Sequence, residues 1–176
     1  MGEPGFNVFL DRYKGKQAKF LEVGVYEGDC SKWLLGTYAD AHLTAVDTFG
    51  GSAEHKAAGI DCSTLKAKYE QAVAPFFGRV TIFQGPSHHV LRRLEKIYDF
   101  VYIDASHEAS DVFIDGALSW LLLKQGGILA FDDYDWHFRG PLTEPKIAID
   151  AFLKIFEGKF KLLHLGHRAV LEKLVA

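Results

Sequence analysis

The chain has 176 residues, of which 48% are hydrophobic, and a formal net charge of −3 at pH 7. This length suits one domain with a substantial core, and the hydrophobic share excludes a disordered chain. The slightly acidic balance argues against a nucleic-acid-binding surface, and no apolar run is long enough to span a bilayer. We therefore expect a single domain over residues 1–176, with residues 1–16 as a short leader segment.

The N-terminus and the cysteines indicate a cytoplasmic protein. Residues 1–13 lack the basic and then apolar pattern of a secretory signal. The two cysteines, Cys30 and Cys62, are far apart in sequence and do not have the spacing of a metal-binding pair. We interpret them as reduced thiols rather than as a disulfide.

Hydrophobic periodicity predicts strands that alternate with helices along the chain. The predicted strands cover residues 19–25, 42–48, 79–84, 99–104 and 126–132. The predicted helices cover residues 7–13, 29–38, 63–76, 88–96, 110–123 and 145–156. Residues 49–52 and 133–144 are predicted loops, and the second of them could form a lid through Trp136, His137, Phe138 and Arg139. Strands at 159–165 and 168–174 have hairpin spacing.

This alternation predicts an α/β fold with a doubly wound parallel sheet, because parallel strands need long right-handed crossovers. Ligands of such sheets bind beyond the carboxyl ends of the strands. Residues that could bind a ligand or take part in catalysis follow each of the five strands: Gly24 and Gly28, Asp47, Gly85 and Ser87, Asp104 and His107, and Asp132 and Asp133. The sequence therefore predicts a ligand site at this edge of the sheet.

Residues 20–31 read as a strand, a glycine-bearing turn and a helix start. Gly24 and Gly28 allow a sharp bend and let a ligand approach without meeting a Cβ. Asp47 ends the next strand, where a carboxylate can accept two hydrogen bonds from a ribose diol. A tight turn beside a surface carboxylate is the alternative. Since Tyr26 breaks the G-x-G-x-x-G pattern of nicotinamide cofactors, a smaller adenosyl ligand is favoured.

His107 follows Asp104 by three residues, at the end of an apolar strand. A neutral imidazole can accept a hydroxyl proton near pH 7, so His107 is a candidate general base; the alternative is a surface histidine at a helix start. Asp132 and Asp133 follow the neighbouring strand, and Asp104 could lie close to them. Three carboxylates suit Mg²⁺, Mn²⁺ or Ca²⁺, whereas a solvated loop start needs no metal.

These motifs resemble the class I S-adenosylmethionine-dependent methyltransferases, and more narrowly the methyltransferase 24 family. Residues 20–29, 101–107, 122–134 and 148–153 carry the resemblance, which extends over residues 19–173. It implies a Rossmann-like, seven-stranded and mostly parallel sheet with a C-terminal antiparallel hairpin.

The resemblance also implies roles for individual residues. Glu22, Gly24 and Gly28 would line the methionine side of S-adenosylmethionine, Asp47 would hold the ribose, and Ser87 would lie near the adenine. The full implied cofactor set is Glu22, Gly24, Val25, Tyr26, Gly28, Asp47, Thr48, Gly85, Ser87 and Asp104. Related sugar O-methyltransferases bind Mg²⁺ through positions that match Asp104, Asp132 and Asp133, and some use a histidine at the position of His107 as the base.

We therefore expect an S-adenosylmethionine-dependent O-methyltransferase that acts on a small-molecule hydroxyl of a sugar or phenol. Asp104 and His107 would be the catalytic residues, with Mg²⁺ assisting. A non-catalytic S-adenosylmethionine-binding module and an NAD-dependent oxidoreductase are the alternatives. We expect no nucleic-acid or membrane partner, while the sequence leaves the acceptor and a homodimeric state open.

Overall fold

The computed structural model describes residues 5–137 and 144–175. Within them, the strands are β1 (Lys19–Val23), β2 (His42–Asp47), β3 (Val80–Gln84), β4 (Tyr98–Ile103), β5 (Leu123–Phe131), β6 (Phe160–Leu165) and β7 (Ala169–Lys173). The helices are α1 (Asn7–Leu10), α2 (Asp29–Thr37), α3 (Ala53–Ala57), α4 (Leu65–Val73), α5 (Ser87–Leu91), α6 (Ala109–Leu122) and α7 (Pro145–Ile155). Short 3₁₀ turns follow α1 and α4.

The strands form one seven-stranded sheet in the order β3-β2-β1-β4-β5-β7-β6. Strands β1 to β5 are parallel, and β7 runs antiparallel to both β5 and β6. In the register of the central strands, Val23 pairs with Val46 and Ile103, and Ile103 pairs with Phe131. Four strands therefore end at one level, which brings the residues after them to the same edge. The predicted fold and its terminal hairpin are confirmed.

Helices cover both faces of the sheet, because successive strand residues point to opposite sides. Leu21 and Val101 pack on one face with Trp120 of α6 and Phe152 of α7. On the other face, alternate strand residues pack with α2 and with the N-terminal segment.

That N-terminal segment is part of the core. Phe6 and Leu10 are fully buried, and the Phe6 ring lies 5.1 Å from that of Phe100 and 4.9 Å from that of Tyr102. Residues expected to form a leader therefore help to cover the sheet, at least from residue 5 onward.

Several predicted element boundaries are wrong: the strand predicted over residues 126–132 begins at Leu123, and the helix predicted over residues 7–13 ends at Leu10. Three further boundaries differ for local reasons that the structure shows. The helix predicted over residues 63–76 begins at Leu65, since Asp61 accepts hydrogen bonds from the backbone N–H and hydroxyl of Ser63. It ends in a 3₁₀ turn that contains Pro75, which has no N–H to donate. The helix predicted over residues 88–96 ends at Leu91 and tightens into turns with i→i−3 bonds, such as Leu94 N–H to the Leu91 carbonyl.

The helix α3 follows the predicted loop at 49–52 and was not expected at all. Its first turn is held by a capping box, in which the Ser52 hydroxyl accepts from the His55 N–H and His55 Nδ1 accepts from the Ser52 N–H. Among the described helices, none has the length and apolar character needed to cross a membrane.

Candidate active site

A cavity of about 1050 Å³ opens at the carboxyl edge of the parallel strands. Every residue that the sequence nominated for cofactor, metal or catalysis lines it: Glu22, Gly24, Val25, Tyr26, Gly28, Asp47, Thr48, Gly85, Ser87, Asp104, His107, Asp132 and Asp133. Their convergence follows from the parallel register, whereas their individual roles stay predictions.

Gly24 and Gly28 shape the loop between β1 and α2, because a side chain at either position would crowd neighbouring atoms of the protein. A Cβ on Gly24 would lie 2.0 Å from the Asp104 carbonyl oxygen, and Gly24 has φ +85°. A Cβ on Gly28 would lie 3.0 Å from the Tyr69 ring. Gly24 thus lets the β1 tip approach the backbone after β4, which brings the glycine loop and Asp104 to one wall of the cavity.

Asp47 organises that loop from the tip of β2. One carboxylate oxygen accepts the N–H groups of Val25 at 2.8 Å and Tyr26 at 3.1 Å, and the other accepts the Phe49 N–H at 2.7 Å. A carboxylate has about four acceptor positions, so about one is left for a ligand. Asp47 therefore fixes the backbone around the cavity through these three hydrogen bonds, and a contact of Asp47 with a ribose stays a prediction.

Glu22 lies at the cavity floor with only 1% of its surface exposed. Burial raises the pKa of its carboxyl to about 8, although the hydrogen bond from the Ser31 hydroxyl acts in the opposite direction. A buried carboxyl of this kind is neutral or charged according to its neighbours. A positively charged ligand beside it would favour the ionised form.

The tips of β4 and β5 form a second acidic group around Tyr102. The Tyr102 hydroxyl lies within hydrogen-bond distance of Asp132 and is 3.2 Å from Asp104, while Arg168 donates to Asp132 at 3.0 Å. Burial and then the charges of Asp132 and Asp133 raise the pKa of Asp104 to about 7. Arg168 thus compensates the charge of Asp132 directly, whereas His107 is the positive group that lowers the pKa of Asp104, and its effect is smaller than those of burial and of the two carboxylates.

His107 lies between two carboxylates. Its Nε2 is 2.9 Å from Asp133 Oδ2 and its Nδ1 is 3.3 Å from Glu54 Oε1, while its ring packs 4.2 Å from that of Trp136. Burial by itself would lower the pKa of His107, but the hydrogen bond to Asp133 and the nearby negative charges raise it overall.

Two sets of side chains in the described chain bring potential metal ligands within 4.8 Å of one another. The first is Asp104, His107 and Asp133, and the second is Asp132, Asp133 and His167. His167 reaches this place from the hairpin between β6 and β7, where its Nδ1 contacts Asp135 at 2.6 Å. Oxygen ligands with one imidazole are compatible with Mg²⁺ or Mn²⁺.

Sequence reasoning missed several residues of this site, chiefly Glu54, Tyr102 and Arg168. Tyr102 stands two residues before Asp104, and the period of a strand places both on the same side, so its proximity could have been inferred. Glu54 and Arg168 come from distant parts of the chain, and only the tertiary structure reveals them. Of the predicted lid, Trp136 contacts His107, while Phe138 and Arg139 lie outside the described residues.

The strand order with its antiparallel β7, together with a glycine loop at the strand tips, defines the class I methyltransferase fold. MycE, a methyltransferase from the mycinamycin biosynthetic pathway solved with Mg and SAH, superposes with a TM-score of 0.67 at 16% identity, over 97% of this chain and 48% of MycE. An rRNA methylase from Streptococcus thermophilus superposes with a TM-score of 0.68 at 13% identity, over 99% of both chains. TrmN from Thermus thermophilus gives 0.63 at 16% identity, over 96% of this chain and 48% of TrmN.

The present chain thus spans about half the length of MycE and of TrmN. No curated protein sequence matches it at a significant level. The sequence profile of the methyltransferase domain known as methyltransferase 24 matches residues 21–134, which is more than half of the chain. The chain belongs to this family of S-adenosylmethionine-dependent methyltransferases.

Proposed function

We propose that this protein transfers the methyl group of S-adenosylmethionine to a hydroxyl oxygen of a small molecule, with His107 as the general base. The observation that carries the proposal is the position of His107, with Nε2 facing the acidic tips of β4 and β5 inside the cavity that the glycine loop lines. A base must lie within hydrogen-bond reach of the proton that it removes, and the end of this cavity offers such a place.

The cavity fits an adenosyl sulfonium ligand. Its volume of about 1050 Å³ exceeds what a ligand of that size needs, which leaves space for an acceptor. Glu22 at the floor supports a cationic ligand because its carboxyl gains a counter-charge on binding. When bound, S-adenosylmethionine supplies a methyl group that is already electrophilic. The protein has to align the acceptor oxygen with the S–CH₃ bond and exclude water.

The proton of the acceptor hydroxyl would pass to His107 Nε2 as the oxygen forms its bond to the methyl carbon and the S–CH₃ bond breaks, with S-adenosylhomocysteine as the leaving group. Trp136 limits the movement of the imidazole by packing on its ring. Asp104 lies in the same acidic group, and its charge stabilises the imidazolium that forms. Typical contributions of such a base are about 10²–10⁴-fold in rate.

The acidic groups fit a divalent cation, and Asp104 and Asp133 are the ligands that we infer. Mg²⁺ commonly binds one or two carboxylates and keeps several waters, so His107 need not be a ligand and stays available as the base. A bound Mg²⁺ would supply Lewis-acid stabilisation of the acceptor oxygen. Asp132 is less suited to the ion because Arg168 and Tyr102 already contact its Oδ2.

The lining of the cavity favours an uncharged acceptor. The described residues that line it include ten carboxylates, one guanidinium and three imidazoles. A surface of this kind repels phosphate groups, which opposes an RNA substrate even though the S. thermophilus neighbour is an rRNA methylase. A neutral sugar or phenol hydroxyl meets no such repulsion.

The test measures S-adenosylhomocysteine release with a panel of sugars, phenols, carboxylic acids, amines and structured RNA. We expect turnover with a neutral hydroxylated acceptor, and a loss of about 10²-fold or more in His107→Ala with unchanged affinity for S-adenosylmethionine. His164→Ala is the control, since His164 is an exposed histidine of β6 that does not line the cavity. Turnover with RNA alone, or full activity of His107→Ala with saturating acceptor, would contradict the proposal.

A further inference from the structure

We infer that Glu54 is a positioning residue for His107: its carboxylate accepts a hydrogen bond from the Nδ1–H and so leaves the Nε2 lone pair free to face the acceptor. This inference rests on the proposed function, in which His107 is the base. It concerns a residue of α3, a helix that lies across the cavity and that the sequence did not predict.

The contact between the two side chains is close and shielded. Glu54 Oε1 lies 3.3 Å from His107 Nδ1, and the side chains are 22% and 19% exposed. Within residues 5–137 and 144–175, neither His107 Nδ1 nor Glu54 Oε2 has a partner in full hydrogen-bond geometry, although both atoms are buried. A buried Nδ1–H without an acceptor is unfavourable, and Oε1 at 3.3 Å is the carboxylate oxygen in reach of it.

The fold holds Glu54 at this place through the residues on either side of it. Ser52 and His55 form the capping box that starts α3, and the His55 ring stacks on Tyr26 of the glycine loop at 4.9 Å and 5°. A Cβ on Gly51 would lie 2.4 Å from Cys62 Sγ, so the chain before α3 is tightly packed as well. Glu54 therefore approaches His107 from a fixed helix rather than from a free loop.

A carboxylate on each side of an imidazole raises the question of which nitrogen keeps the proton. A neutral imidazole has one N–H, and the hydrogen bond made by one nitrogen decides which nitrogen is free. Asp133 lies on the Nε2 side, where the acceptor would bind, and Glu54 lies on the opposite side. Only a proton held toward Glu54 leaves an Nε2 lone pair for the acceptor, which is how a carboxylate orients the base in other enzymes.

Long-range ¹H–¹⁵N spectra of the histidine side chains test this directly, with S-adenosylhomocysteine bound and at a pH where His107 is neutral. The experiment uses Asp133→Gly to remove the competing carboxylate. Glycine suits this position because Asp133 has φ +56°. Signals of His107 are assigned among the eight histidines by their loss in His107→Gln.

We expect His107 to carry its proton on Nδ1 in Asp133→Gly. We expect the same in Asp133→Gly/Glu54→Gln, because the glutamine amide oxygen can still accept a hydrogen bond from the Nδ1–H. In Asp133→Gly/Glu54→Ala this preference should be lost, whereas the control Asp133→Gly/Glu70→Ala should keep it, since Glu70 is an exposed residue of α4 paired with Lys66. An Nδ1–H tautomer that survives Glu54→Ala would overturn the inference.

A second measurement applies if Asp133→Gly does not fold. A crystal structure of the wild-type protein with S-adenosylhomocysteine should show Glu54 Oε1 within hydrogen-bond distance of Nδ1. Glu54 turned to solvent, with water on Nδ1, would overturn the inference. The proposed function fails by a different result, namely no binding of S-adenosylhomocysteine by the wild-type protein.

Discussion

Replacing Glu22 by glutamine should remove a large pH dependence of stability. The side chain is 1% exposed, and burial is the main reason that its pKa rises from 4.5 to about 8. Between these two values the folded protein holds a proton that the unfolded chain releases. Stability therefore falls as pH rises through this window, because the native state binds more protons than the unfolded state.

The size of the effect follows from the two pKa values. At 1.36 kcal/mol per unit, the shift from 4.5 to about 8 corresponds to about 5 kcal/mol, of which about 4 kcal/mol is lost between about pH 5 and pH 8.5. Glutamine keeps the shape and an oxygen that can accept from the Ser31 hydroxyl, but it does not ionise. The variant should therefore be as stable as the wild type near pH 5 and more stable near pH 8.5.

Urea unfolding of both proteins at several pH values measures this difference, with m-values compared to check two-state behaviour. Asp115 also has a raised pKa, but it does not interact with Glu22 and is present in both proteins, so its contribution cancels in the difference between the curves. Asp104 repels Glu22, so the difference contains the ionisation of Glu22 together with its coupling to Asp104. Glu70→Gln, on an exposed surface, serves as the control. Curves of wild type and Glu22→Gln that run parallel across the pH range would show that Glu22 is not protonated in the folded protein near pH 7.

Three further predictions concern the frame of the site. Gly24→Ala should lower the free energy of unfolding by about 3 kcal/mol or more, because its Cβ would lie 2.0 Å from a backbone oxygen. Gly126→Ala, with φ +74° and open space around it, should lower it by about 1 kcal/mol. Chemical denaturation compares the two variants, and equal losses would contradict a packing role of Gly24. Phe6→Ala should cost about 3–5 kcal/mol and Val8→Ala, at 63% exposure, almost nothing; similar melting temperatures for both would show that the N-terminal segment is not core. Lys173 is 3% exposed and donates to the Trp120 and Leu123 carbonyls, and burial lowers its pKa to about 8. Between about pH 8 and pH 10.5 the unfolded chain therefore binds more protons than the folded protein, so the wild type should gain stability relative to Lys173→Met as pH rises through this window. Denaturation curves without this relative gain would show that burial does not lower the pKa of Lys173.

The fold could be predicted from the sequence because each level of information agreed. Apolar strands such as the one ending at Val23 alternate with helical periods, and only a parallel sheet accommodates that order. The same parallel register explains why residues as distant as Asp47 and Asp132 line one cavity. The topology alone places residues that follow parallel strands at one edge of the sheet, so their convergence can be predicted without knowledge of any contact.

The rest depended on contacts that periodicity does not describe. The helix α3 has five residues, and its start is fixed by the pairing of Ser52 with His55, where the usual capping box has Glu or Gln. Phe6 stands in a segment too short to show a period, yet its ring fills the space over Phe100 and Tyr102. Glu54 matters only because α3 places it beside His107.

For Asp47, the sequence predicted the position of the carboxylate but not its hydrogen-bond partners. Its position at the end of β2 was predicted, but the structure shows that three of its acceptor positions already hold backbone N–H groups. The number of free lone pairs on a carboxylate cannot be deduced from spacing along the chain. Ligand contacts inferred from a motif therefore need the local hydrogen-bond count before they define a role.

Calorimetric titration of the wild-type protein with S-adenosylhomocysteine, and in parallel with NAD, tests most directly whether this cavity holds an adenosyl sulfonium ligand and its product. We expect one saturable site per chain for S-adenosylhomocysteine and no heat of binding for NAD. Binding of NAD, or binding of neither compound, would contradict an adenosyl sulfonium site.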